Sequence, residues 1–196
     1  MSSTSVAVDS ESEFHIPGEP GIWILICGDL LIFSLFFGVF LHSRSQNVEI
    51  FRAAQSHLNQ AFGALNTLLM LSSSWLVALG VRAARQSLGI WSPLLFTLAL
   101  ICGAGFVVVK VFEYGEKIRA GITLLTNDFF MYYFVFTGIH LLHVLIGMGV
   151  LSALALYSRS GGFNAGKIRN LESGASFWHL VDVLWIVLFP LLYLVR

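Results

Sequence analysis

Polarity divides the chain into five long apolar stretches joined by short polar ones. The stretches run Ile22 to Leu41, Ala61 to Val81, Ile90 to Val109, Phe129 to Tyr157 and Ala175 to Val195. Each reaches the length of about 20 apolar residues that a helix needs to cross a bilayer. The third helix is expected to continue past its apolar run to about residue 113. The pattern therefore predicts an all-α, polytopic transmembrane bundle of five helices, at about 22–41, 61–81, 90–113, 129–157 and 175–195. Residues 1–20 are expected to form a flexible N-terminal tail, and residues 21–196 a single domain. Trp23, Trp91, Tyr114 and Tyr157 lie near the ends of runs, where an interfacial aromatic belt would place them.

Local signals refine this picture. Pro17, Gly18, Pro20 and Gly21 punctuate the approach to the first span. Gly103 and Gly105 allow close approach of a neighbouring helix in the third span. Pro190 sits late in the fifth span, frees the carbonyl four residues back and should bend that helix near its end. The connections, 42–60, 82–89, 113–128 and 158–173, are short and polar, and none is long enough for a second domain.

Composition narrows the class. Of 196 residues 57% are hydrophobic and only 11% charged, too apolar for a soluble domain of this size and too charge-poor for a disordered one. Eleven Lys and Arg balance eleven Asp and Glu, so no bulk charge points to nucleic acid. The opening 20 residues carry four acids and no Lys or Arg, and lack the basic region and cleavage site of a signal peptide. Cys27 and Cys102 fall inside apolar runs and read as small buried hydrophobes. Charge does not orient the bundle. Arg82, Arg85, Arg159, Lys167 and Arg169 on one side equal Arg44, Arg52, Lys117, Arg119 and Arg196 on the other, with Lys110 at a helix edge.

Five ionisable side chains fall within the spans: Asp29, His140, His143, His179 and Asp182. Groups of this kind are costly at membrane depth, face protein and need partners. His140 and His143 are three residues apart, hence about 60° apart on one helix face. Trp178, Asp182 and Trp185 make one stripe beside His179. Three readings stand for this set: an intramembrane polar network that knits helices together, a proton-handling group, or haem ligation by paired imidazoles. His143 and His179 are expected to join the fourth and fifth spans. At the end of the third, Lys110, Glu113 and Lys117 read as a solvated or interfacial salt-bridged turn. No phosphate-binding loop, dinucleotide fingerprint, CxxC or HExxH motif is present, so nothing argues for a hydrolase, a kinase or a dehydrogenase.

Four stretches carry a family resemblance. GIWILICGDLLIFSLFFGVFLHSR is similar to the first shared helix of subunit III of the haem–copper oxidases, with its intramembrane acid. FVVVKVFEYGEKI resembles the helix end that holds that family's Glu-Tyr pair. FVFTGIHLLHVLIG matches its TGxHxxHVxxG signature, and ASFWHLVDVLWIVLFPLLYL its terminal WHxVDxxW helix. Together these cover most of residues 17 to 195. The chain departs from the full-length family by lacking the first two of seven helices, which form one arm of a lipid-holding cleft, and by carrying Asp29 where the family usually has Glu. The five-helix form with an acidic tail is most similar to the NorE-type proteins of nitric oxide reductase systems, and also resembles the third subunit of a small bacterial terminal oxidase.

The resemblance implies a non-catalytic, metal-free subunit that packs against catalytic subunit I of a haem–copper oxidase or nitric oxide reductase, supporting turnover and proton uptake. Haem and copper would belong to that partner, and structural phospholipid is a companion the family allows. It also implies a bacterial inner membrane location with a cytoplasmic N-terminus and a periplasmic C-terminus. In that orientation Asp29 and Asp182 lie at similar depth, roughly 12 Å from the cytoplasmic ends of their helices, so a shared network is expected. The alternative class is an independent small b-type cytochrome using His140 or His143 with His179.

Overall fold

Asparagine opens three of the long helices. Asn59 Oδ1 accepts from Ala61 N–H at 3.0 Å, Asn127 Oδ1 from Phe130 N–H at 2.9 Å, and Asn164 Oδ1 from Lys167 N–H at 2.8 Å. Each satisfies one of the amides that a helix start leaves without a partner. The computed structural model describes residues 18–195, and residues 1–17 of the expected tail lie outside them. The helices are α1 Pro20–Gln46, α2 Val48–Gln55, α3 Gln60–Arg85, α4 Trp91–Arg119, α5 Asp128–Arg159 and α6 Ala165–Phe189, with a terminal π turn over Pro190–Leu194. Five of them are long and apolar enough to cross a membrane. The helices outrun their apolar stretches: α4 continues to Arg119 and α6 starts ten residues before Ala175.

The short helix α2 was not expected in the connection between the first two spans. Phe51, Ala54, Gln55 and Leu58 are buried on one side while Glu49 and Arg52 stay exposed. Their spacing of three, four and seven is the pattern of an amphipathic helix, brief enough to read as a loop.

Helices α3, α4, α5 and α6 form a ring in which each packs on two neighbours. The α3–α4 pair is antiparallel: Ser73 Oγ donates to Ala99 C=O at 2.9 Å, and a Cβ on Gly80 would meet Phe96. Small residues set the α4–α5–α6 spacing. The Trp178 ring lies between Gly103 and Gly147, where added Cβ atoms would sit 3.0 and 2.7 Å from its carbons. A Cβ on Gly105 would make only ordinary contact with Leu69 at 3.5 Å, so of the two glycines expected to permit approach, Gly103 is the one that does.

Helix α1 stands outside the ring. It buries only Ile26, Phe33 and Phe40, seven residues apart, and meets α5 mainly through side chains. The ring of Phe36 stacks on that of Phe136 at 6.0 Å, and Phe40 meets Phe51, Phe129, Tyr132 and Phe136. The start of α1 is pinned to α6: Gly18 N–H donates to Glu172 Oε2 at 3.1 Å and Glu19 N–H to Ser173 Oγ at 2.9 Å. Gly18 has φ +80° and lies against Ser173, so both conformation and space favour glycine there.

Candidate functional site

The inward stripe of α4 is Phe96, Ala99, Gly103, Phe106, Lys110, Glu113 and Lys117, in steps of three and four. That phase carries the three charged residues into the protein. Lys110 and Glu113 are fully buried and Lys117 nearly so, which corrects the expectation of a solvated or interfacial turn. The i,i+3 ion pair itself is present, Lys110 Nζ to Glu113 Oε2 at 2.9 Å. The third member is Tyr193 of the terminal π turn. Its hydroxyl accepts from Lys110 Nζ at 2.9 Å and donates to Glu113 Oε1 at 2.6 Å, closing a ring of three hydrogen bonds. Four aromatic rings surround the ammonium, Trp185 at 4.9 Å, Tyr133 at 5.3 Å, Tyr193 at 5.5 Å and Tyr114 at 5.8 Å, a cation–π setting. Lys117 points elsewhere and donates to His57 C=O at 2.6 Å, tying the end of α4 to the α2–α3 loop.

Pro190 explains why Tyr193 is available. It has no N–H to continue the α-helical ladder, and the chain closes its last turn with an i→i+5 bond, Val195 N–H to Pro190 C=O at 3.0 Å. The last carbonyls need other donors in an apolar setting. Gln55 Nε2 supplies one to Leu192 C=O at 2.7 Å, and Gln60 Nε2 another to Tyr193 C=O at 3.0 Å. Gln55, Gln60, Tyr133 and Tyr193 were not singled out from sequence. The signal for the glutamines was faint: Gln55 continues the Phe51–Ala54 face of α2.

The five span residues expected to form one network are divided among separate sites. His143 Nε2 lies 3.2 Å from Asp29 Oδ2, linking α5 to α1. His143 Nδ1 is 2.9 Å from Ile139 C=O, and since a carbonyl only accepts, Nδ1 carries a proton. A favourable Nε2–Oδ2 contact then needs one more proton between the two side chains, held as imidazolium with carboxylate or as imidazole with acid. The pair is 17% and 22% exposed and so reaches the bundle surface at membrane depth. His179 Nδ1 is hydrogen-bonded to Ser74 Oγ of α3 at 2.7 Å. Neither His143 nor His179 therefore joins α5 to α6 as expected: the one holds α1, the other α3. Nor does the structure pair Asp29 with Asp182. Asp182 is buried, with Oδ1 unpartnered. His140 is fully buried, stacks on Trp185 at 5.3 Å and meets the edge of Phe106 at 5.5 Å, and both its ring nitrogens lack hydrogen-bond partners among the described residues.

At the opposite end of the bundle, Arg85 donates from Nε and Nη2 to Glu172 Oε1 at 2.9 and 2.7 Å. Arg169 pairs with Glu19 at 2.7 Å across an exposed surface. Among the described residues, no three His, Cys, Asp or Glu side chains are grouped to hold a metal ion. Of the imidazoles in the cytochrome alternative, His143 is engaged at both ring nitrogens, by Asp29 and by Ile139 C=O, and has none left for a haem iron.

These features define a multi-pass helical membrane protein with a buried Lys110–Glu113–Tyr193 cluster at one end of its bundle. The sequence model of the family described as cytochrome c oxidase subunit III matches residues 18–195, all of the described residues, and the chain belongs to that family. It is 30% identical to cytochrome c oxidase subunit 3 of Thermostichus vulcanus over 192 residues, covering 97% of this chain and 94% of the relative. It is 27% identical to quinol oxidase subunit 3 of Bacillus subtilis (strain 168) over 183 residues, 89% of this chain and 85% of the relative. Cytochrome c oxidase subunit 3 of Corynebacterium diphtheriae is 26% identical over 178 residues, 90% and 87% of the two chains.

Proposed function

We propose that this chain is a non-catalytic membrane subunit of a haem–copper respiratory oxidase in a bacterial inner membrane, packed against the haem-bearing catalytic subunit. The carrying observation is a near end-to-end match, 97% of this chain on 94% of the relative, to a protein named cytochrome c oxidase subunit 3. The surface geometry supports it. Most of α1 outside its narrow seam is exposed and apolar, as a helix in contact with lipid or another membrane subunit would be. The chemistry of oxygen reduction belongs to the partner's haem and copper. This chain's own contribution is a helical wall whose Asp29–His143 pair reaches the bundle surface at membrane depth.

The test is purification of the tagged chain from its native membranes in mild detergent. A haem-bearing subunit I in equal amount, identified by mass spectrometry and its absorption spectrum, is expected. Quantitative recovery of the chain with no haem-bearing subunit would overturn the reading. A nitric oxide reductase partner, which the resemblance to NorE-type proteins implies, is the other outcome the same experiment reads, through the identity of the haem subunit and the gas it consumes. The proposed orientation, N-terminus cytoplasmic and C-terminus periplasmic, is checked by reporters fused after Arg196. A reporter active only in the cytoplasm would reverse it.

A further inference from the structure

The interior of the α3–α6 ring holds buried polar atoms with no hydrogen-bond partner among the described residues. Asn66 Nδ2 and Oδ1, the Tyr133 hydroxyl and both nitrogens of His140 make no hydrogen bond among the described residues, and all three side chains are fully buried. They converge on one region. Asn66 precedes Ser73 by seven residues on the buried face of α3, and Phe106 follows Ala99 by seven on that of antiparallel α4. Since Ser73 bonds to Ala99, Asn66 lies level with Phe106, whose ring is 5.5 Å from His140. Trp185 fixes the same level independently: its Nε1 donates to Thr67, next to Asn66, at 3.0 Å, and its ring stacks on His140. Lys110 is one turn on from Phe106, with its ammonium 4.9 Å from the Trp185 ring and 5.3 Å from that of Tyr133. Two of its three N–H donors are taken by Glu113 and Tyr193.

We propose that Asn66, Tyr133 and His140 bind a small cluster of ordered water beside the Lys110 ammonium, closed off at the end of the bundle by Tyr193. The donor and acceptor inventory selects the ligand. Asn66 offers two donors and an acceptor, a neutral imidazole one of each, a phenol one donor and acceptor capacity, and Lys110 a donor. A metal cation cannot satisfy the N–H groups, and an anion cannot satisfy the facing acceptors. Only a small molecule that both donates and accepts meets the whole set, and buried waters typically make about three such bonds. At membrane depth there is no bulk solvent to do this, and each unpartnered group would otherwise carry its full desolvation cost.

Radiolytic hydroxyl-radical footprinting of the full chain in lipid nanodiscs tests this, because radicals formed from bound water mark the side chains that touch it. Tyr133 and Trp185 are expected to be oxidised several-fold faster than the equally buried Phe96, after correction for intrinsic reactivity. Asn66→Leu and His140→Phe should each suppress that labelling while circular dichroism stays unchanged. If Tyr133 and Trp185 are as inert as Phe96, or Phe96 is labelled as fast as they are, the site is not a water site. Wild-type labelling in both variants would equally overturn the assignment of the water to these residues. Should either variant fail to insert, the wild-type comparison with Phe96 decides alone.

Discussion

Glu113→Gln separates a buried charge cluster from a surface ion pair. In the wild type, Glu113 accepts from Lys110 at 2.9 Å and from Tyr193 at 2.6 Å, with no exposed surface on either charged side chain. The amide keeps the shape but removes the negative charge, leaving the Lys110 ammonium uncompensated among aromatic rings. Losing one partner of a buried pair typically costs about 3–5 kcal/mol. The same change in a solvated pair would cost about 0–1 kcal/mol. Tyr193→Phe keeps the ring, leaves no cavity and keeps the Lys110–Glu113 ion pair, removing only two hydrogen bonds, which in membrane bundles are worth about 0.6 and at most about 1.7 kcal/mol each. Its effect should fall below that of Glu113→Gln. Lys110→Met in the Glu113→Gln background removes the orphaned charge and should recover most of the loss, since an apolar replacement of a buried pair is often neutral or better. The assay is denaturant titration in mixed micelles, followed by helical circular dichroism. A Glu113→Gln protein within 1 kcal/mol of wild type, or a double variant no more stable than the single one, would refute the buried reading.

Asp29→Asn should leave co-purification with the catalytic subunit intact, because the amide keeps the shape and still hydrogen-bonds His143, but should reduce turnover sustained over many cycles; Asp29→Leu should lower thermal stability as well. Wild-type turnover in the Asn variant would confine Asp29 to a structural role. His179→Ala removes the Ser74 bond and should weaken the bundle by about 0.6 and at most about 1.7 kcal/mol without preventing insertion; an unchanged melting temperature would leave that bond without energetic weight. Gly147→Ala places a methyl 2.7 Å from Trp178 and should cost about 1–3 kcal/mol by overpacking. Gly138→Ala, which meets nothing within 4 Å, should be neutral, and equal effects from the two would refute the Trp178 slot.

Much of this molecule follows from the one-dimensional pattern. Apolar length determines the five spans, because a bilayer sets a minimum that few other structures need. Two helical motifs, TGIHLLHV over 137–144 and WHLVDVLW over 178–185, carry the family, because their spacing places side chains on one turn whatever surrounds them. The phase of α4 was also legible: Lys110, Glu113 and Lys117 continue the step of three and four begun by Phe96, Ala99, Gly103 and Phe106. Reading them as a solvated turn let the general rule that charges face water outweigh that periodicity.

Partners are what only the tertiary structure decided. Local spacing says that His143 needs a partner but not that α1 brings Asp29 to it 114 residues away in sequence, nor that Ser74 rather than α5 receives His179. Tyr193 is the clearest case. Its role depends on Pro190 interrupting the ladder, on the π turn re-aiming the ring, and on Gln55 and Gln60 arriving from two other helices to hold the freed carbonyls. Of those residues only Pro190 stands out in the sequence by itself. The cluster exists because an apolar surrounding offers no water to a carbonyl or an ammonium, so distant segments must supply every bond, and which segments do so is settled by how the helices pack.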